Sequence, residues 1–279
     1  MVERSIVICG LPESGKTTFL GALWHLITER EIRTSLTFGS LKNADHMHLN
    51  TIAARWRDAL AQERTEVRSR RIVTMNLLDS SGKPVRVGFP DLSGEAFRRM
   101  WEERDCEPEV GEILRSGEGI LLFVNADHIN SPRTIVQETD QMRALGIVEA
   151  DNKEELEWDP SVSPTQVKIV DILQMLNSPP LYIGPRRIAV MLSAWDKIIE
   201  EKRTPESFLQ DWLQLLDQYL KSGDGIEAWR VYGVSAQGGD FETEAEALRS
   251  KDIASTRIRL FSGDKESHDL TEPLQWLMQ

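Results

Sequence analysis

Eight residues near the amino end constrain this chain more than any others. Gly10-Leu11-Pro12-Glu13-Ser14-Gly15-Lys16-Thr17 is a G-x-x-x-x-G-K-[ST] run. Such a run works only where a strand delivers the chain to the first glycine and a helix carries it away after the lysine. Both flanks read that way. Ile6-Val7-Ile8-Cys9 is a short apolar strand, and Thr17–Glu29 has helical spacing. Gly10 and Gly15 permit backbone angles that side chains resist, so successive N–H groups can converge on a phosphate. The helix start adds about half a positive charge aimed the same way. The expected phosphate contacts are Gly10, Glu13, Ser14, Gly15, Lys16, Thr17 and Thr18. Lys16 would reach the β- and γ-phosphates, and the Thr17 hydroxyl would ligate Mg²⁺.

The rest of the chain alternates strand-like and helix-like pieces. Arg71–Leu78 and Val85–Phe89 form a hairpin signal around the turn formers Asp79 to Pro84. Glu118–Asn125, Arg187–Ser193 and Trp229–Val234 read as buried strands. Asn43–Gln62 reads as an amphipathic helix through Ile52, Trp56 and Leu60. Ile169, Val170, Leu173 and Leu176 share a second helical stripe. Phe208, Trp212, Leu215, Leu216 and Tyr219 share a third, and Leu270–Met278 a last helix. Gly146–Pro164 carries Glu149, Asp151, Glu154, Glu155, Glu157 and Asp159 against Lys153 alone, which predicts an exposed insert. Asp240–Asp269 reads as irregular and charged. The expected fold is α/β in three layers (αβα), with a mostly parallel sheet and one antiparallel edge strand. It is expected as a single domain over 1–279, with insertions near 30–64, 146–164 and 240–269.

Composition narrows the partners. With 33 basic and 45 acidic residues among 279, the formal charge is −12. That excludes a broad electrostatic grip on nucleic acid or anionic lipid, but not one locally held nucleotide. Two cysteines cannot build a disulfide framework or a zinc motif, so a reducing compartment is the default. Cys9 reads as core. His46 and His48 lie two apart on a helix-like stretch and face different ways, which argues against a metal site. The longest apolar runs are too short to span a bilayer. There is no secretory or lipidation pattern, so the cytoplasm is expected, without a membrane anchor.

Three further elements follow the loop in order. The strand ending at Pro90 runs into Asp91-Leu92-Ser93-Gly94-Glu95. An acid there can hold Mg²⁺, and the Gly94 N–H can approach a γ-phosphate. The strand ending at Ser193 runs into Ala194-Trp195-Asp196-Lys197. A carboxylate at 196 can accept from guanine N1–H and N2–H₂, a donor pair that adenine lacks. After the next strand come Ser235-Ala236-Gln237, whose backbone can meet guanine O6.

In this order the chain resembles the Ras-like GTPases of the translation-factor-related P-loop class. The family's N/T-K-x-D pattern is altered, with Ser193 for Asn or Thr and Ala194 for the lysine that packs on the base. Trp195 is the candidate to supply the lost stacking surface, with core packing as the alternative. More narrowly, the D-L-S-G-E junction, the S-x-W-D-K strand end and the closing L-T-E-P-L-Q-W-L-M resemble the double-GTPase group of bacterial conflict and defence gene clusters. The resemblance implies a GTP- and GDP-binding switch with Mg²⁺, acting with an unknown protein effector or activator. It implies a Mg²⁺-touching switch threonine ahead of the hairpin, which is Thr65. Thr51 and Thr37 are rivals on helix-like and strand-like stretches. Arg64 is either an internal arginine finger or a solvated side chain. Glu95 stands where many relatives carry a water-positioning glutamine, and its charge implies slow hydrolysis. Two alternatives stay open: a non-hydrolysing nucleotide-dependent interaction module, and a P-loop ATPase of another class.

Overall fold

The computed structural model describes residues 5–41, 45–62, 72–90, 94–132, 159–199 and 203–279. Strand β1 (Ile6–Gly10) leads through the loop into helix α1 (Lys16–Glu29). Then come β2 (Thr37–Leu41), α2 (Asp45–Arg57), β3 (Ile72–Leu78) and β4 (Pro84–Pro90). Helices α3 (Gly94–Glu102) and α4 (Pro108–Ser116) precede β5 (Gly119–Asn125). Helix α5 (Thr165–Leu176), β6 (Arg186–Ser193), α6 (Pro205–Trp212), α7 (Gln214–Ser222) and β7 (Ile226–Ser235) follow. The described chain ends with α8 (Ala245–Arg249), β8 (Arg259–Ser262), β9 (Lys265–Ser267) and α9 (Glu272–Leu277).

The main sheet has the order β1-β5-β6-β7-β8-β9. The first three pairings are parallel and the last two antiparallel. Alternate residues explain the three layers, because successive side chains of a strand point to opposite faces. Ile6 and Ile8, Leu121 and Phe123, and Ala189 and Met191 pack on one face with α1, α2 and α9. Val7 and Cys9, Ile120 and Leu122, and Ile188 and Val190 pack on the other with helices α3 to α7. Each fully buried Leu, Ile or Phe contributes roughly 1.5–3 kcal/mol, so this double-faced core supplies most of the drive to fold.

Several expectations are corrected. The 240–269 segment, which reads as irregular in the sequence, supplies two strands, β8 and β9, and these build the expected antiparallel edge. The β3–β4 hairpin joins β2 in a separate three-stranded antiparallel sheet, with β4 lying against β1. The stripe from Phe208 to Tyr219 is not one helix. It breaks at Leu213 (φ −128°), where the buried Gln166 side chain accepts from Leu215 N at 2.7 Å. Trp212 and Leu215 consequently stay substantially exposed while Leu213 fills the core. The acidic insert up to residue 158 lies outside the described residues; Asp159, at its end, caps a short 3₁₀ turn by accepting from Ser161 N.

Register fixes where chemistry can occur. Gly10 pairs with Phe123, Asn125 with Ser193, and Ser193 with Val234. The carboxyl ends of β1, β5, β6 and β7 therefore finish side by side, the edge where open α/β sheets carry ligands.

Candidate functional site

The loop after β1 turns through positive φ at Gly10 (153°), Glu13 (59°) and Gly15 (85°). Both glycines are also needed for space. A Cβ on Gly10 would lie 2.7 Å from Phe123 O, and one on Gly15 would lie 3.0 Å from Ser193 Cβ. Gly15 caps α1 without a side-chain hydrogen bond, so the first amides of the helix keep their free N–H direction. Lys16 Nζ reaches back over the loop to Gly10 O (2.8 Å), Leu11 O (2.7 Å) and Ser14 Oγ (3.0 Å). The Thr17 hydroxyl at the head of α1 makes no hydrogen bond among the described residues. Directly behind the loop, Cys9 is fully buried, and burial pushes its thiol up to about 12, so it stays an inert core thiol.

The end of β6 is shaped by Ala194, whose backbone is left-handed (φ 54°). That turn sends neighbouring side chains in opposite directions. Trp195 goes into the core: it is 1% exposed, meets Phe208 edge-on with ring centroids 5.5 Å apart, and occupies the space a Cβ on Gly233 would need. The expectation that Trp195 offers a stacking surface is thereby corrected, because its ring is enclosed by protein on the far side of the strand. Asp196 goes the other way. Its Oδ1 accepts from Ser235 Oγ at 2.5 Å, and Ser235 Oγ in turn accepts from Gly238 N at 3.1 Å. Lys197 pairs with Asp240, whose Oδ1 also accepts from Glu242 N and Thr243 N. These donors, Lys197 foremost, hold the Asp240 carboxyl down at about 2.

One cavity of about 380 Å³ joins these parts. Glu13, Gly15 and Thr18 line it from the loop, Ser193, Ala194, Asp196 and Lys197 from the end of β6, and Ala236 and Gln237 from the end of β7. The sequence-expected loop, base-reading carboxylate and S-A-x segment thus converge on one hollow. The Gln237 side chain is directed elsewhere, donating to Trp56 O at 3.1 Å, while Trp56 Nε1 donates to Ala236 O at 2.8 Å. Arg257 stacks over the Trp56 ring at 4.0 Å and donates to Arg57 O, which satisfies the carboxyl end of α2.

Other expected residues stand apart or outside the description. Gly94 begins α3, and the Glu95 carboxylate beside it lies 2.6 Å from Arg98 Nε. Asp91 and Thr65, with Arg64, fall outside the described residues. Thr51 sits on α2 donating to Met47 O, and Thr37 is on β2, as their spacing suggests. No group of His, Cys, Asp and Glu among the described residues is arranged to hold a metal ion.

Asn125 was not anticipated. At the end of β5 its Nδ2 donates to Glu13 O at 3.1 Å and its Oδ1 accepts from Asp127 N at 3.0 Å. It braces the loop, whereas Ser193, one strand over, donates its hydroxyl to Val124 O at 3.3 Å. The available signal was an amide side chain closing the apolar run Gly119–Val124.

A search of curated proteins finds no match. Among solved structures, the chain is similar to the Saccharomyces cerevisiae Ski7 GTPase-like domain bound to GTP. The identity is 14%, over 85% of this chain and 43% of that one, with a TM-score of 0.44. It is also similar to bacterial selenocysteine-specific elongation factor EF-Sec (12% identity, 89% and 28% coverage, TM-score 0.35). Sup35 complexed with GDP gives 13% identity, 85% and 38% coverage, and a TM-score of 0.35. The chain therefore spans less than half the length of each of these three structures. The assignment rests instead on a family model that matches residues 7–277, from the first strand through the loop, the Asp196 turn and the last helix. On that match, this chain belongs to the Double-GTPase 1 family.

Proposed function

We propose that this chain binds a guanine nucleotide across the cavity and hydrolyses GTP slowly, as a molecular switch. The observation that carries the reading is the single hollow shared by the Gly10–Thr18 loop and Asp196. A carboxylate offers about four lone-pair sites, and Ser235 uses one, so Asp196 keeps acceptors for guanine N1–H and N2–H₂. Adenine has no matching donor pair, and a buried polar group left unpaired costs roughly 1–3 kcal/mol.

At the phosphate end, the Lys16 ammonium is poised to stabilise the β- and γ-phosphates. The uncapped amides of α1 and the loop N–H groups add fixed positive dipoles. The Thr17 hydroxyl is a hard oxygen ligand without a hydrogen-bond partner among the described residues, which fits Mg²⁺; Thr17, Asp91 and Thr65 would hold the ion, which when bound would neutralise phosphate charge. Water attacks the γ-phosphorus in line, its oxygen forming the new bond as the bridge to the β-phosphate breaks. Glu95 would accept a hydrogen bond from that water, and the Gly94 N–H and Thr65 would sense the γ-phosphate. Arg98, 2.6 Å from Glu95, offsets a charge that would otherwise oppose the phosphate. Turnover without a partner is expected on the order of 10⁻⁴ s⁻¹.

The resemblance to conflict and defence proteins supports a regulator that works in the cytoplasm through a protein effector. No helix among the described residues is long and apolar enough to cross a membrane. A second reading, nucleotide-dependent binding without turnover, is favoured by one fact: Glu95 is already engaged by Arg98. The nucleotide that co-purifies with the protein tests the first step. Guanine nucleotide, with GTP bound at least about a hundredfold tighter than ATP, is expected; equal affinity for both would overturn the base assignment. Single-turnover hydrolysis then separates the switch from the inert module.

A further inference from the structure

The cavity has a feature that neither phosphate nor purine-edge recognition explains. Ala194 leaves its wall without a long side chain, and Trp195 is buried away from it. Yet two large apolar side chains, Leu60 and Phe241, line this same cavity while remaining 48% and 41% exposed. The lining is more apolar than polar, and these two side chains give it surface that a flat apolar group can cover.

Both are held in place by built contacts. Phe241 belongs to the loop after β7. Asp240, next to it, is fixed at four points: its N–H donates to Glu244 Oε2 (2.8 Å), its Oδ1 accepts from Glu242 N (2.7 Å) and Thr243 N (3.2 Å), and its Oδ2 pairs with Lys197. Lys197 is itself the neighbour of Asp196, so the loop carrying Phe241 is fastened to the turn that carries the carboxylate. Leu60 follows α2. The reversal after the helix is held by Arg55 Nε donating to Ala61 O (3.0 Å) and by Gln62 Nε2 donating to Ile52 O (3.1 Å). Trp56 ties the same helix end to Ala236 O.

We propose that Phe241, with Leu60, clamps the flat face of the purine while Asp196 reads its edge. This takes over the work of the lysine that Ala194 replaces, and it rests on the nucleotide reading of the cavity. An aromatic ring on a base contributes through dispersion and stacking that every purine face offers, so the clamp adds affinity and Asp196 adds choice.

The test is titration of the full-length chain with GDP and with GTP by calorimetry, for wild type, Phe241→Ala, Phe241→Trp and Leu60→Ala. Phe241→Ala should weaken both nucleotides by the same factor, about tenfold, since the contact is to the base and not the γ-phosphate. Phe241→Trp should restore affinity to within about twofold, which a purely structural role would not do. Leu60→Ala should lose about threefold. Melting temperatures without nucleotide should match wild type for the two Phe241 variants, whose site is exposed. Wild-type-like affinity in Phe241→Ala, or failure of Phe241→Trp to rescue, would overturn the clamp. A wild-type chain that binds neither GDP nor GTP would overturn the nucleotide reading instead.

Discussion

Ser235 donates its hydroxyl hydrogen to Asp196 Oδ1 at 2.5 Å, fastening the end of β7 to the turn after β6. The bond fixes the carboxylate's orientation, and Oδ2 accepts no hydrogen bond among the described residues. A hydrogen bond to a charged group is worth about 1.5–3 kcal/mol, so Ser235→Ala should weaken GDP roughly tenfold or more. In Asp196→Asn, the amide oxygen can keep the bond from Ser235 while the amide nitrogen becomes a donor. GTP affinity should fall by at least about a hundredfold, and affinity for xanthosine triphosphate, which presents an acceptor at C2, should rise. Competition calorimetry with the two triphosphates measures the exchange; a variant that still prefers GTP would remove Asp196 from base recognition.

Lys16→Ala should abolish nucleotide binding while the chain stays folded. The lysine is only part-buried and its partners, Gly10 O and Leu11 O, can turn to water. Calorimetry with GTP, paired with a thermal melt of the free protein, checks both halves of the statement.

Asn125→Ala removes the brace on Glu13 O. The loop should remain but be less ordered, so GDP and GTP should weaken together by about fivefold, the value of a bond near 1 kcal/mol. A loss confined to GTP would instead place Asn125 at the γ-phosphate.

Acid should loosen the loop that follows β7. Lys197 and the N–H groups of Glu242 and Thr243 hold the folded Asp240 carboxyl at about 2, below the roughly 3.9 of an unfolded aspartate. A depressed carboxyl stabilises the fold above its unfolded value, and that share disappears as pH falls through the folded one. Comparing melting temperature against pH for wild type and Asp240→Asn should show curves separated above pH 4 that converge between about 4 and 2. Parallel curves through that interval would show that the pairing adds nothing to stability.

Trp195→Ala should cost about 3–5 kcal/mol of stability, as expected for emptying a large aromatic site in the core. Trp195→Phe should cost less and leave GDP affinity within about twofold. A selective loss of nucleotide in Trp195→Phe would reverse its assignment to the core.

What could be read in advance follows the range of the forces involved. The Gly10–Thr17 loop and the helix after it were legible because their geometry is dictated by residues within one turn of each other. Asp196 was legible because its place at a strand end follows from the apolar run before it. For Trp195 the sequence offers both a stacking surface and core packing, and the left-handed backbone of Ala194, which alanine does not advertise, decides for the core. Strands β8 and β9 span Arg259–Ser262 and Lys265–Ser267, too short for an alternating pattern to emerge from charged neighbours. The break at Leu213 depends on Gln166, a residue from a different helix. Asn125 joins a loop 112 positions away, a pairing that only the strand register brings about.

The level finish of β1, β5, β6 and β7 has a consequence for how such a chain can change. Gly10, Asn125, Ser193 and Ser235 owe their neighbourhood to main-chain pairing, and a slip of one residue would shift a strand tip by about 3.3 Å and turn its side chains to the opposite face. Lengthening or shortening any of those four strands therefore displaces the groups at its tip. Beyond β9, which has no further strand beside it among the described residues, added sequence leaves that shared edge undisturbed.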